Sequence, residues 1–244
     1  MNKKQKITIA IILLVAVVSI IYLIVINSKE NKGNFSNSDE IKFKNEYETL
    51  NSKKKDDGTN EYINVNISGT NKIKYSNITE VINTLKNGTG VIYLGFPECP
   101  WCRTMISPFI DVVSNYSSLH QVLYYDAREI RDSKHLDENG NIVVDKAGTE
   151  EYNELVSILY DYLDVYYGLN DPTIKRLYLP TVIFVKNGKV IGVHNGTLDA
   201  QTDVKVSLTE DQIKELKGIY TGYLDKMFSN NDSDDISCDD SKKC

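Results

Sequence analysis

The sequence predicts an α/β domain with a mixed central sheet and helices on both faces. Three observations carry that prediction: two short apolar runs on either side of a helical stretch, a hairpin built on an Asn-Gly turn, and a capped amphipathic helix near the end of the chain. A membrane-spanning segment is expected to precede the domain.

Lys3, Lys4 and Lys6 stand before an uncharged apolar run of twenty residues, 7–26. At about 1.5 Å rise per residue a helix over that run reaches about 30 Å, enough to cross a bilayer once. Secretory h-regions run only about 7–15 residues and no small-residue cleavage site follows, so the run reads as an uncleaved signal anchor. The basic n-region, 1–6, favours a cytoplasmic N-terminus, although Lys29 and Lys32 beyond the span soften the bias. The rest of the chain is therefore expected outside the cell membrane, where disulfides persist.

Residues 27–60 are dense in Asn, Ser, Lys, Asp and Glu and are expected to form a polar tether. Within it, Phe43, Tyr47 and Leu50 fall on one helical face, so 41–50 reads as a short helix that docks on the domain. The domain itself is expected over 61–228. The alternation in Tyr62-Ile63-Asn64-Val65-Asn66-Ile67 reads as its first strand, and Ser76-Asn77 caps a helix over 78–86 that Gly88 stops. The run 91–96 (Val-Ile-Tyr-Leu-Gly-Phe) is a buried strand, 103–115 a helix, and 121–126 (Gln-Val-Leu-Tyr-Tyr-Asp) a second strand parallel to the first through that helical crossover.

An insertion follows at about 127–175. Tyr152, Leu155, Val156, Leu159, Leu163 and Tyr166 keep helical spacing and predict one amphipathic helix, whose apolar face either covers the sheet or lines a groove. Asp137-Glu138-Asn139-Gly140-Asn141 reads as a turn of a small hairpin with Ile142-Val143-Val144. Apolar runs on both sides of Asn187-Gly188 mark a larger hairpin, with Pro180 directly before its first strand. Thr209 and Gln212 have the spacing of a capping box for a last helix that reaches Phe228. The tail 229–244 is acidic and serine-rich and is expected to be disordered.

The chemistry concentrates at Cys99-Pro100-Trp101-Cys102, on the strand-to-helix turn after 91–96. At a helix N-terminus the unpaired N–H groups and the helix dipole favour a thiolate, which makes Cys99 the nucleophile and Cys102 the resolving thiol. Pro100 suits a first helical turn, where a missing N–H costs nothing. The same spacing also serves half of a zinc site or a structural disulfide. A closed zinc site needs two more ligands, and the only other cysteines, Cys238 and Cys244, stand in the polar tail. The redox reading is therefore preferred, with no metal and no cofactor expected.

With the dithiol turn and the Leu179-Pro180-Thr181 hairpin ending in Lys186-Asn187-Gly188, the chain resembles the thioredoxin superfamily over about 62–228. The resemblance implies that Pro180 is cis and packs beside Cys99, and that Trp101 and Leu179 contact an extended substrate segment. It also exposes two departures. Tyr93 stands where many thioredoxins carry a buried acid, and Glu98 replaces an aromatic before the first cysteine, so a carboxylate is expected to raise the Cys99 pKa. With its anchor, its insertion and the Gly95-Phe96-Pro97-Glu98-Cys99-Pro100-Trp101-Cys102 run, the chain is similar to membrane-anchored bacterial thioredoxin-like proteins of the bacteriocin transport accessory type. That similarity implies disulfide handling during peptide export.

A net charge of −6 and the absence of any Lys/Arg stripe argue against nucleic acid as a partner. His120, His135 and His194 are far apart in sequence and read as surface or loop residues. Cys238 and Cys244 read as a small tail disulfide, as two idle thiols, or as a shuttle pair exchanging with Cys99. Two functions of different class remain. One is an anchored thiol–disulfide oxidoreductase acting on exported proteins or peptides, served by a soluble or membrane redox partner; the other is an anchored adaptor whose disulfide is only structural.

Overall fold

In the computed structural model, which describes residues 36–229, the strands alternate apolar residues between two faces, and both faces are buried. The elements in chain order are α1 (Ser36–Glu48), a 3-10 turn (Thr49–Ser52), β1 (Ile73–Tyr75), α2 (Ile78–Asn87), β2 (Gly90–Leu94), α3 (Pro100–Asn115) and β3 (Val122–Tyr125). There follow β4 (Ser133–Leu136), β5 (Ile142–Lys146), α4 (Glu150–Ile158), a 3-10 turn (Tyr160–Tyr162), β6 (Thr181–Lys186), β7 (Lys189–Asn195) and α5 (Glu210–Phe228). Five strands form one mixed sheet in the order β1-β3-β2-β6-β7, with β1, β3 and β2 parallel and β6 and β7 antiparallel.

Val91 and Tyr93 of β2 join Val122, Tyr124, Val182 and Phe184 on one face, under residues of α1, α3 and α5. Ile92 and Leu94 join Leu123, Ile183 and Val185 on the other, under α2 and α4. A strand buried on both faces reads as a continuous apolar run, and 91–94 is one. The expected mixed sheet with helices on both faces is thus present.

Local signals set most element ends. Asn77 accepts a hydrogen bond from the Glu80 N–H at the start of α2, and Thr209 and Gln212 form the reciprocal capping box of α5. The β6–β7 turn places Gly188 at φ +73°, and its N–H donates to Gly88 O at 2.7 Å. A Cβ there would lie 2.2 Å from the Lys86 carbonyl oxygen, so both the turn and the close approach to α2 require glycine.

Four expectations change. The segment 62–67 is not a strand: Val65 and Ile67 are buried as the alternation requires, but side chains take its backbone groups. Asn51 bonds both the N–H and the carbonyl of Val65, Glu48 accepts from Ile67 N–H, and Lys44 donates to Ile67 O. The first strand is instead Ile73–Tyr75, three residues whose pairing with β3 supplies what so short a run cannot signal. The long helix of the insertion stops at Ile158. The Tyr162 carbonyl, which a continued helix would offer to Tyr166 N–H, accepts from Asn195, and Tyr166 N–H turns to Ile174 O. Leu163 and Tyr166 are buried all the same. His194, expected on the surface, lies within β7 with its ring edge-on to Tyr220, and burial lowers its pKa.

The fourth concerns the tether. The helix expected over 41–50 begins at Ser36, and Phe43 and Tyr47 are fully buried in the same core as the sheet. Phe43 packs 4.7 Å from Tyr47 and 4.9 Å from Tyr124 between ring centroids. The folded unit therefore includes part of what the composition marks as linker. Among the described residues no helix is long and apolar enough to cross a membrane. The apolar run 7–26 and the tail from 230 onward lie outside them.

Phe43→Ala is expected to destabilise the domain by about 3–5 kcal/mol, the usual cost of a large cavity in a close-packed core. A denaturant midpoint unchanged from the parent protein would show that α1 does not belong to the cooperative unit.

Candidate dithiol site

β2 is the middle strand of the sheet, and the chain leaves its C-terminal end through Gly95 to enter α3 at Pro100. Cys99 is the N-cap of α3. Its sulfur accepts the Cys102 N–H at 3.3 Å, taking one of the amides that the first turn of a helix leaves unpaired. Both cysteines are free thiols here.

Their environments differ. The side-chain hydrogen bond from Cys102, the amides of Cys102 and Trp101 and the charge of Arg131 hold the Cys99 pKa below its ordinary value against an opposing effect of burial. Burial pushes the Cys102 thiol well above it, and the neighbouring Cys99 adds to the rise. One sulfur is thus disposed to ionise while the other is held neutral. The rise expected from Glu98 does not prevail, since the Cys99 pKa is lowered; the Glu98 carboxylate lies 3.4 Å from Arg128, which also holds Asp126 at 2.6 Å.

The register places the second half of the site. Leu94 at the end of β2 is opposite Thr181 at the start of β6, so the residues before Thr181 face the dithiol turn. The Leu179–Pro180 bond is cis, and the Cys99 thiol donates to Leu179 O at 3.6 Å. Thr181 pins this loop by donating to Tyr178 O at 2.6 Å. Trp101 and Phe96 are half-buried against the core cluster that contains both cysteines. Cys99, Cys102, Trp101, Leu179 and Pro180 are therefore brought together. Cys99 is less open than its assigned role suggests, at 5 % exposure, and its thiol is turned to the Leu179 carbonyl of the cis-proline loop.

Arg103 is the participant that the sequence did not mark. It is 1 % exposed, and among the described residues no carboxylate pairs with it; its guanidinium donates to Ile63 O, Tyr47 O, Pro97 O and Asn51 Oδ1 at 2.7–3.2 Å. It joins the start of α3 to α1, to the extended 62–67 segment and to the turn before Cys99. An arginine directly after a dithiol motif carries no sequence signal of burial. Tyr93 is fully buried, with its hydroxyl 2.7 Å from that of Tyr47.

Among the described residues no group of three or more His, Cys, Asp or Glu side chains is placed to hold a metal ion. Cys238 and Cys244 lie outside the described residues. No protein-family model matches the chain, and no curated protein matches it.

Because the Cys99 pKa is lowered, the thiolate is populated at a pH where free cysteine is still protonated. In a Cys238→Ser/Cys244→Ser background, alkylation by iodoacetamide is expected at Cys99 and not at Cys102, with a pH midpoint below that of free cysteine. A midpoint at or above the free value, or labelling of Cys102 first, would contradict the asymmetry.

Proposed function

We propose that the protein is a thiol–disulfide oxidoreductase with a thioredoxin-like fold, anchored in the cell membrane by residues 7–26 with its domain outside. Exported proteins or peptides are its substrates. The observation that carries this reading is the paired environment of one dithiol: an N-cap sulfur disposed to ionise, three residues before a fully buried sulfur that is not.

In the reducing direction the Cys99 thiolate attacks one sulfur of a substrate disulfide, forming a Cys99–substrate disulfide and releasing the other substrate sulfur as a thiolate, which takes up a proton. Cys102, on losing its proton, attacks the Cys99 sulfur. The intramolecular disulfide forms, and the second substrate thiol departs with the balancing proton. Oxidation of a substrate dithiol is the same sequence reversed, and a soluble or membrane redox partner resets the pair. An extended substrate segment is received along the backbone at Leu179 and Pro180, with Trp101 beside it. The resemblance to bacteriocin transport accessory-type proteins points to disulfide handling during peptide export.

The low exposure of Cys99 favours a second reading, an anchored adaptor that binds a peptide or exporter component and keeps its disulfide for structure. Trapping separates the two. In cells carrying Cys102→Ser, mixed disulfides to extracytoplasmic proteins are expected at Cys99, and Cys99→Ser is expected to abolish them. Finding no adducts with Cys102→Ser would favour the adaptor.

A further inference from the structure

Resting on the exchange reading above, the surroundings of the dithiol turn bear on which substrates it takes. A groove of about 450 Å³ opens beside Pro100, the residue directly after Cys99. Arg103 forms part of its wall, and Lys55 and Lys205 line it from two other segments of the chain. Against these three cations the lining carries one carboxylate, that of Glu61. The protein as a whole has a net charge of −6, so the sign of this groove is a local reversal.

The cations of the groove are uncommitted. Lys55 and Lys205 are exposed, and among the described residues neither ammonium lies within ion-pair or hydrogen-bond distance of a partner. Acids close by in the chain are engaged locally: Asp57 accepts from the Thr59 N–H and hydroxyl at 2.9 and 2.6 Å, and Asp203 accepts from the Lys205 N–H at 2.8 Å. Arg103 donates to carbonyl and amide oxygens, so no carboxylate cancels its charge.

The same groove offers open backbone. The segment 62–64 lines it, and although Ile63 O is taken by Arg103, the N–H groups of Tyr62, Ile63 and Asn64 have no hydrogen-bond partner among the described residues. Unpaired backbone of this kind is what an extended peptide adds to. A second groove, lined by Pro97 and Glu98 before the dithiol, has the opposite sign, with Glu46, Glu98 and Asp126 against Arg128. An acidic segment is therefore attracted to the Pro100 side and repelled from the Glu98 side.

We infer that the protein selects substrates in which an acidic extended segment flanks the reacting cysteine. With the substrate sulfur at Cys99, that flank lies in the groove beside Pro100, its carboxylates against Lys55 and Lys205 and its backbone along 62–64. Arg103 contributes through its charge. Exposed ion pairs add little to affinity one by one, so the selection acts chiefly on the rate of capture.

The test uses the full chain in nonionic detergent, reduced, with Cys238 and Cys244 replaced by serine. Three synthetic peptides each carry one cysteine as a mixed disulfide with thionitrobenzoate, flanked by aspartates, serines or lysines. The Cys99 thiolate attacks the peptide sulfur, the Cys99–peptide disulfide forms, and thionitrobenzoate leaves as a coloured thiolate whose initial rate of release reports capture. At low ionic strength the aspartate peptide is expected to react about tenfold faster than the lysine peptide, with the serine peptide between them. In about 1 M salt, where the screening length falls to about 3 Å, the three rates are expected to converge.

Lys55→Glu combined with Lys205→Glu is expected to invert the order of the three peptides. Equal rates in the parent protein, or an acid preference that survives both substitutions, would overturn the inference while leaving the exchange reading intact. The chain also carries an acidic tail, with Asp232, Asp234, Asp235, Asp239 and Asp240. An acid preference that emerges only when these five are replaced by asparagine would assign the groove to the tail and overturn the substrate role. Absence of thionitrobenzoate release from any of the peptides would instead remove the exchange reading, and the selection with it.

Discussion

One hydrogen bond organises the site: the Cys102 N–H donating to the sulfur of Cys99 at the first turn of α3. It makes Cys99 a helix cap, and a cap is best served by an anion, because it answers unpaired N–H groups at the positive end of the helix. The same turn of helix carries Cys102 inward, where burial opposes ionisation. The opposite pKa shifts on the two thiols draw on this geometry: the Cys102 side chain and then the first-turn amides lower Cys99, and burial raises Cys102. The sheet supplies the helix start by ending β2 in its centre and placing β6 alongside, so that the Leu179–Pro180 loop meets Cys99.

The site is held in place by a buried cation. Four oxygen acceptors from three separate segments, none of them a carboxylate, take the donors of the Arg103 guanidinium. A buried charge is costly unless its donors are answered, so these segments are fixed relative to one another as a condition of burying Arg103. That explains why a region of linker-like composition folds at all. Residues 36–52 are polar on average, yet Phe43 and Tyr47 enter the aromatic core, and Asn51 and Glu48 bond the backbone of 65 and 67 in place of a neighbouring strand.

The parts legible in the sequence were those whose cause is local. The Asn77 and Thr209 caps, the Asn187-Gly188 turn, the apolar run of β2 and the dithiol turn each rest on residues within a few positions, and the structure shows them as read. Readings failed where a distant partner decides. The alternation in 62–67 correctly marked which residues are buried, but whether such a segment pairs as a strand depends on what lies beside it, and side chains of α1 and the following turn lie there. The insertion helix kept its apolar period past its true end at Ile158, where the chain tightens into the 3-10 turn Tyr160–Tyr162 and Asn195 from β7 takes the Tyr162 carbonyl. Arg103 and the Tyr47–Tyr93 pair depend on contacts across more than forty positions, and no short pattern announces them.

The central claim is that Cys99 and Cys102 form an exchangeable pair and not a permanent crosslink. The most direct measurement is their reduction potential, obtained by equilibrating the protein, with Cys238 and Cys244 replaced by serine, with defined ratios of reduced and oxidised glutathione and counting free thiols. The account expects a reversible two-electron equilibrium between roughly −270 and −120 mV, the range of dithiols that exchange with partners. A disulfide below about −300 mV, which glutathione does not open, would contradict it, since that is where structural disulfides of secreted proteins lie.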